Sequence, residues 1–376
     1  MESRDIARLR MRNQHLWGSS LQTPAEVVHR IAAMQSQEYH VAKWSVAQRT
    51  ERITDADIDQ AFADGTILRT HLLRPTWHFV LPADVRWLQD LTAPRVHVLN
   101  AHYYRKLGLD DDHFAKSNAL LAAVLEGGRH LTRKELGVEL KRAGIEASGL
   151  RLGYTMMRAE LDAVVCSGAL RGKQHTYALL DERAPNAKTM ARDEALAELT
   201  RRYFTTRGPA TLKDYIRWSS FTAADGRRGL DMLGSELQHE VVDGRAYWFA
   251  EGSLGSDHTS ETVDLVQVYD EVVMSYSESR DALTGNSIAR DEAGFMHAVL
   301  LGGRWIGRWR AVRSKSSVAV EISLDRPFNR VEARALETAT ERYARFLGVP
   351  VTGAPATRVP VTASARHASA ASAGNG

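Results

Sequence analysis

The chain has 376 residues, 44% hydrophobic and 25% charged, with a formal net charge of +3; this balance excludes a disordered polyelectrolyte and leaves room for two or three packed units. The start, MESRDIARLR, carries charges with no apolar stretch behind it, and no apolar run reaches the roughly 18 residues needed to cross a bilayer. A protein that stays in the cytoplasm and off the membrane is expected, and its lone cysteine, Cys166, excludes an intrachain disulfide or a zinc site built on cysteine pairs.

Ile6, Leu9, Met11 and Leu16 recur at roughly helical spacing from Asp5 to Trp17 and stop at Gly18. Thr23 before Pro24 reads as a cap with proline in the first turn. Val27, Val28, Ile31 and Met34 then line one face of a second helix, expected to end between Gln35 and Glu38. Thr54 opens a third helix through Ile58, Ala61 and Phe62, closed by Gly65. Residues 67–81, ILRTHLLRPTWHFVL, predict two short strands and a turn around the central proline. Three helices followed by a hairpin is the order of a winged helix.

The order recurs. Thr132 opens a helix through Leu136 and Leu140, a second amphipathic run spans Leu152 to Val164, and SGALRGKQHTYALL predicts a hairpin with Gly172 and Lys173 at its tip. A third copy starts at Thr211 with Leu212, Tyr215 and Trp218, continues from Thr222 through Leu230 and Leu233, and ends in AYWFA. The α+β class is therefore expected, with tandem winged-helix units over 1–110, 111–185 and 186–255 followed by a β-rich C-terminal domain over 256–350. That last domain is read from the strand-like runs DLVQVYDEVVMSY, FMHAVLLGGRWIGRWRAV and SSVAVEISL, with ARALETATERYARFLG as a closing helix. Residues 351–376 lack large apolar side chains and read as a disordered tail.

No phosphate loop, dinucleotide fingerprint, zinc helix or nucleophile elbow occurs in the chain. Asp111-Asp112-His113 reads as a solvated loop cluster, so neither metal nor cofactor is expected. Gln35 follows Val27, Val28 and Ile31 at helical spacing and should point inward, whereas residues two apart on a helix lie on roughly opposite faces. For Gln35 and Gln37 to serve one site, the helix must end between them and the chain become extended; on spacing alone they read as cap residues that satisfy a helix end. Alternation on the second strand of the first hairpin would put Arg74, Thr76 and His78 on one face, opposite Pro75, Trp77 and Phe79. Guanidinium, hydroxyl and imidazole together suit a phosphate or an extruded base, and a strand with one wet face is the plain alternative.

AMQSQ, RTHLLRPTWHFVLPADVRWL, GPATLKDYIRWSSFTAADGRRGL, DEVVMSYSESR and GGRWIGRWR, spread between Arg8 and Leu347, resemble the winged-helix DNA-binding proteins that include the AlkZ and YcaQ type bacterial DNA glycosylases. The resemblance implies a C-shaped assembly of tandem winged helices that cradles duplex DNA and excises alkylated bases, extending in some members to interstrand crosslinks. It places the family's two catalytic glutamines at Gln35 and Gln37, with Ser36 where the family usually carries an apolar residue. A monofunctional glycosylase acting as a monomer on double-stranded DNA with alkylated bases is then expected. In that setting Trp77 or His78 would stack beside the extruded base, with Thr76 alongside. Arg69, Arg74, Arg217 and Arg227 would meet phosphates. The alternative is a non-catalytic winged-helix DNA-binding protein or transcriptional regulator.

Overall fold

The computed structural model describes residues 3–19, 21–251, 261–285, 297–314, 316–353 and 357–358. Helix α1 (Ser3–Asn13) precedes α2 (Pro24–Ile31), where the Thr23 hydroxyl accepts from the Glu26 N–H at 3.1 Å and Pro24 fills the first turn. There follow β1 (Met34–Gln35), α3 (Tyr39–Ala47), α4 (Asp55–Ala63), β2 (Leu68–Leu72) and β3 (Thr76–Val80). The three strands form an antiparallel sheet in the order β1-β3-β2. A long helix, α5 (Val85–Lys106), carries the chain onward.

The same sequence of elements then repeats. α6 (Asp111–Leu125), β4 (Leu131–Thr132), α7 (Arg133–Arg142), α8 (Gly149–Leu161), β5 (Val165–Arg171) and β6 (Gln174–Leu179) form a sheet in the order β4-β6-β5. After α9 (Leu180–Arg183) comes a third set: α10 (Arg192–Arg207), Ala210, α11 (Leu212–Ser219), α12 (Ala223–Leu233), β7 (Leu237–Val242) and β8 (Arg245–Ala250). There the short first strand is reduced to Ala210, which bridges Trp248 on β8. Thr132 and Thr211 start α7 and α11 with complete capping boxes closed by Glu135 and Asp214. At the equivalent place in the first set, three residues, Ser36, Gln37 and Glu38, intervene between β1 and α3, and Glu38 makes no side-chain cap. The first set thus differs from its siblings where the glutamines lie.

The C-terminal part contains β9 (Val263–Val266), α13 (Glu271–Met274), α14 (Asp281–Thr284), β10 (His297–Leu301), β11 (Arg304–Arg313), β12 (Val318–Leu324), α15 (Arg330–Leu347), β13 (Val351–Gly353) and β14 (Thr357–Arg358). Its sheet runs β13-β12-β11-β10-β9, antiparallel except where β13 and β14 join β12. The molecule is a mixed helix and sheet protein, and no helix among the described residues is long and apolar enough to cross a membrane.

Four sequence expectations change. The second helix stops at Ile31, and Gln35 lies on a strand instead of continuing its apolar face. The stretch DLVQVYDEVVMSY is a strand only through Val266 and turns into the short helix α13, because the Asp270 carboxylate accepts from the Val272 N–H at 2.9 Å and opens a helical turn. Asp111, Asp112 and His113 begin α6 under an Asp110 cap, where acidic side chains match the helix dipole; no metal-binding group is found among the described residues. Val351–Gly353 adds a parallel edge strand, so the chain beyond α15 does not fall at once into an unstructured tail, while residues 354–356 and 359–376 lie outside the described residues. Cys166 is fully buried on β5, with its thiol pushed up to about 12 by burial.

One core joins the first set of elements to the C-terminal sheet. Val27, Val28, Ile31, Trp44 and Phe62 pack with Leu265, Trp309, Tyr343 and Phe346. Trp44 on α3 sits 5.0 Å from Tyr343 and 5.2 Å from Phe346 between ring centroids, and its indole N–H donates to the Leu265 carbonyl at 2.6 Å. A second core joins the hairpin β2–β3 and α5 to α10, α11 and α12 through Leu72, Val80, Trp87, Leu199, Tyr203 and Trp218. The segment carrying the glutamines is therefore held from both sides.

Candidate active site

The turn from α2 into β1 would not form on local preference alone. Ala32 has φ of 68°, a positive value that is uncommon for a residue with a side chain and costs of the order of 1 kcal/mol. The compensation comes from α10. The Arg207 guanidinium donates to the carbonyls of Ile31 and Ala33, each at 2.9 Å, which occupies acceptors at the end of α2 and fixes the change of direction. Arg207 is 0% exposed and pairs with Glu271 at 2.9 Å.

Glu271 connects the rest. Its Oε1 accepts the Gln35 backbone N–H at 2.8 Å, while its Oε2 accepts from Arg207, from the Trp218 indole at 2.8 Å and from the Ser275 hydroxyl at 2.8 Å. Burial alone would raise this carboxyl, but Arg207, Arg74 and the Gln35 N–H outweigh it and hold the group at about 2. The neighbouring Asp270 binds Arg49 through both oxygens, at 2.8 and 2.9 Å, with both side chains fully buried. Two adjacent carboxylates thus fasten α10 and the end of α3 to the C-terminal part.

Gln35 ends β1, and Gln37 follows two residues later where the chain leaves the sheet. Gln35 is 4% exposed and lies directly across from His78 on β3. Its side-chain oxygen accepts from an Arg74 guanidinium nitrogen at 2.9 Å. Gln37 is half-buried, and its side-chain oxygen faces the Trp77 backbone N–H at 3.4 Å, a long and weak contact. Ser36 between them is completely buried; its N–H donates to the Trp77 carbonyl at 2.7 Å, while its hydroxyl oxygen has no partner among the described residues. A serine therefore fills an inward position that suits an apolar side chain. The inward, outward alternation of an extended segment explains how residues 35 and 37 can face one region, as a helix could not allow.

The other expected site residues divide sharply. Arg69 is only 5% exposed: it donates to the Ser36 carbonyl at 3.1 Å and the Gln37 carbonyl at 3.3 Å, and lies 4.5 Å from the Trp77 ring centroid. It braces the glutamine loop and is not placed to meet a phosphate. His78 is 0% exposed, with Nδ1 on the Thr76 carbonyl at 3.0 Å, so it cannot stack on a base. The expected polar face of β3 is turned inward at His78, within reach of the charges of Arg74 and Glu271. Trp77 is half-buried, its indole N–H donating to Glu160 at 3.2 Å, and Thr76 is half-buried beside it. Arg74 is half-buried and sits within the electrostatic reach of Glu271, Arg207 and Arg217. Arg217 on α11 and Arg227 on α12 are exposed.

Sequence reasoning missed Arg49, Glu160, Arg207 and Glu271. One signal was present: Asp270 and Glu271 interrupt the apolar run LVQVYDEVVM, and adjacent carboxylates within such a run require buried partners. Glu160, 0% exposed on α8, accepts from Trp77 and contacts His71, clasping the second set of elements to the hairpin of the first.

This burial makes stability depend on pH. Burial, then the Arg74 charge, lowers His78 to about 3, so between its ordinary 6.5 and about 3 the unfolded chain binds a proton that the folded chain does not. His15, His175 and His297, each lowered to about 4 chiefly by burial, act in the same direction. The Glu271 contribution is complete above its ordinary 4.5 and is lost as pH falls towards about 2. Urea midpoints should therefore fall from about pH 7.5 to about pH 5, the histidines accounting for the drop, and His78→Gln should flatten part of it. A wild-type midpoint constant across that range would contradict the buried neutral histidines.

A family model described as DNA glycosylase AlkZ-like matches residues 28–346. The interstrand DNA cross-link repair glycosylase of Streptomyces sahachiroi is 25% identical over 366 residues, covering 92% of this chain and 96% of that one. The solved structure of Streptomyces sahachiroi DNA glycosylase AlkZ superimposes with a TM-score of 0.75, at 23% identity, over 94% of this chain and 100% of its own.

Proposed function

The chain belongs to the AlkZ-like DNA glycosylases, and from that premise we propose that it hydrolyses the N-glycosidic bond of alkylated purines in duplex DNA with a water oriented by Gln35 and Gln37. The observation that supports this reading is the segment 34–37, which leaves the helix before Gln35 and is held by Glu271, Arg69 and Arg74.

An amide has no useful proton affinity, so neither glutamine serves as a strong general base. The leaving group must bring its own activation. A purine alkylated at N7 or N3 carries positive charge: the C1′–N bond breaks, its electron pair neutralises the departing base, and the sugar becomes oxocarbenium-like. Water bonds to C1′ and its surplus proton passes to solvent. The protein contributes orientation, an effect that reaches several kcal/mol in favourable cases. Undamaged bases, which leave as anions, should be poor substrates, and extrusion is cheapest for a damaged base. The threefold recurrence of helix, short strand, two helices and hairpin supports reading the three sets as winged-helix units. The protein then acts as a monomer on duplex DNA, with half-buried Trp77 and Thr76 beside the lesion. The crosslink activity in the name of the Streptomyces sahachiroi relative comes into this reading as a second substrate, one carrying the same cationic leaving group on both strands. Release of free base from a duplex with one N7-methylguanine, compared with its undamaged counterpart, tests the reaction; no release would contradict it.

The exposed Arg217 and Arg227 are the groups placed to meet phosphates, Arg217 beside Arg74. Binding should weaken steeply with salt and show little sequence preference. Arg217→Ala should lower the slope of log K against log salt by about 1 and weaken all duplexes alike. An unchanged slope would remove Arg217 from the interface.

A further inference from the structure

The contact between Arg74 and Gln35 decides which end of the Gln35 amide is available for chemistry. An arginine guanidinium carries donors only, so the atom it meets at 2.9 Å must be the carboxamide oxygen. Turning the amide over would set an NH2 group against the guanidinium, donor against donor. The oxygen is therefore committed to Arg74, and Arg74 is in turn held by the negative charge of Glu271. The NH2 group points the other way and donates to no group among the described residues. Gln37 is in a different position. Its oxygen has only the 3.4 Å contact with the Trp77 N–H, and the residue is half-buried, so this carbonyl remains able to accept.

Resting on the glycosylase reading, we infer that Arg74 is a positioning residue that locks Gln35 as the hydrogen-bond donor of the pair, leaving Gln37 as the acceptor. A water between them accepts from the Gln35 NH2 through one lone pair and donates one hydrogen to the Gln37 carbonyl. Its second lone pair is then left to bond C1′. As that bond forms, the bond from C1′ to the cationic base breaks with its electron pair going to the base nitrogen, and the proton lost from the attacking water passes to solvent. Two acceptors would hold both of the water's hydrogens and leave two lone pairs open; a donor and an acceptor occupy one of each, so that a single lone pair remains for C1′. The two glutamines are thus not interchangeable.

The asymmetry is measurable with isosteric substitutions in the full chain, using a duplex carrying one N7-methylguanine under single-turnover conditions with protein in excess. Gln35→Glu keeps the contact to Arg74 as an ion pair but presents no donor, and its base-release rate should fall by about 100-fold. Gln37→Glu keeps an acceptor, should lose no more than about tenfold, and should acquire a rate that falls as the new carboxylate is protonated. Arg74→Met frees the amide and should lower the rate at saturating protein, with Arg74→Lys recovering part of it because a donor is restored. Melting temperatures and duplex affinities identify any variant whose loss is only one of folding or binding; Arg74→Lys against Arg74→Met keeps the test sound if either glutamate variant folds poorly. A wild-type protein that releases base while Gln35→Glu matches or exceeds Gln37→Glu would overturn the donor assignment alone. A wild-type protein that releases no base would overturn it together with the glycosylase reading.

Discussion

Replacing Glu271 with alanine is expected to lower stability by about 3–5 kcal/mol, the range for breaking a buried ion pair by removing one partner. Arg207 would be left charged and 0% exposed, with only carbonyls and hydroxyls to hold it. The N–H groups of Gln35 and Trp218 and the Ser275 hydroxyl would lose their acceptor as well. The effect is read from urea denaturation at neutral pH, where the carboxylate is fully ionised in the folded protein. Glu271→Gln preserves shape and one acceptor oxygen and should cost less, though its NH2 group must face other donors. At a temperature where the alanine variant is still folded, its base release should fall below the folded fraction, because the anchor of the strand carrying Gln35 is gone. A change under about 1 kcal/mol would show that Glu271 does not hold this junction.

The parts of the fold governed by local chemistry were legible in the sequence. Thr23 with Pro24, Thr132 and Thr211 each announce a helix start, and the structure places caps at all three. The hairpins at 68–80 and 165–179 follow from alternating β-formers around turn residues. What could not be read was decided at long range. The apolar spacing through Met34 continues a helical face, yet α2 ends at Ile31 because Arg207, some 174 residues away from Ala33, takes the carbonyls at its end. Likewise α3 has weak amphipathic character in sequence but is fixed by Trp44 packing on α15 and by Arg49 pairing with Asp270. Propensity is a weak prior when a buried ion pair from another element competes for the same backbone.

The candidate site shows the same division. The glutamine pair and the hairpin opposite it were found from local pattern and resemblance, and the condition that the helix must end before both glutamines can share a site is met one turn earlier than expected. Arg69 and His78 were assigned to DNA because arginine and histidine on a hairpin suggest an outward face. Both are instead buried by elements distant in sequence, and the two residues become a brace and a neutral buried imidazole. Alternation identifies which residues share a face but not which face is covered.

Under the proposed function the glutamine pair carries the chemistry and arginine side chains carry the DNA affinity. The most direct measurement is single-turnover release of N7-methylguanine by the wild-type protein and by Gln35→Ala with Gln37→Ala, with thermal melts and duplex binding on the same samples. The double variant is expected to lose base release by several orders of magnitude, since the proposed catalysis rests on orientation of the water, while duplex affinity stays within about a few-fold because both substitutions leave the phosphate-meeting arginine side chains in place. Loss of the Gln35 side chain should cost only about 1 kcal/mol of stability for its hydrogen bond to Arg74, so the protein remains folded. A folded double variant that still releases base at the wild-type rate would contradict the role of the pair and place the catalytic residues elsewhere in the chain.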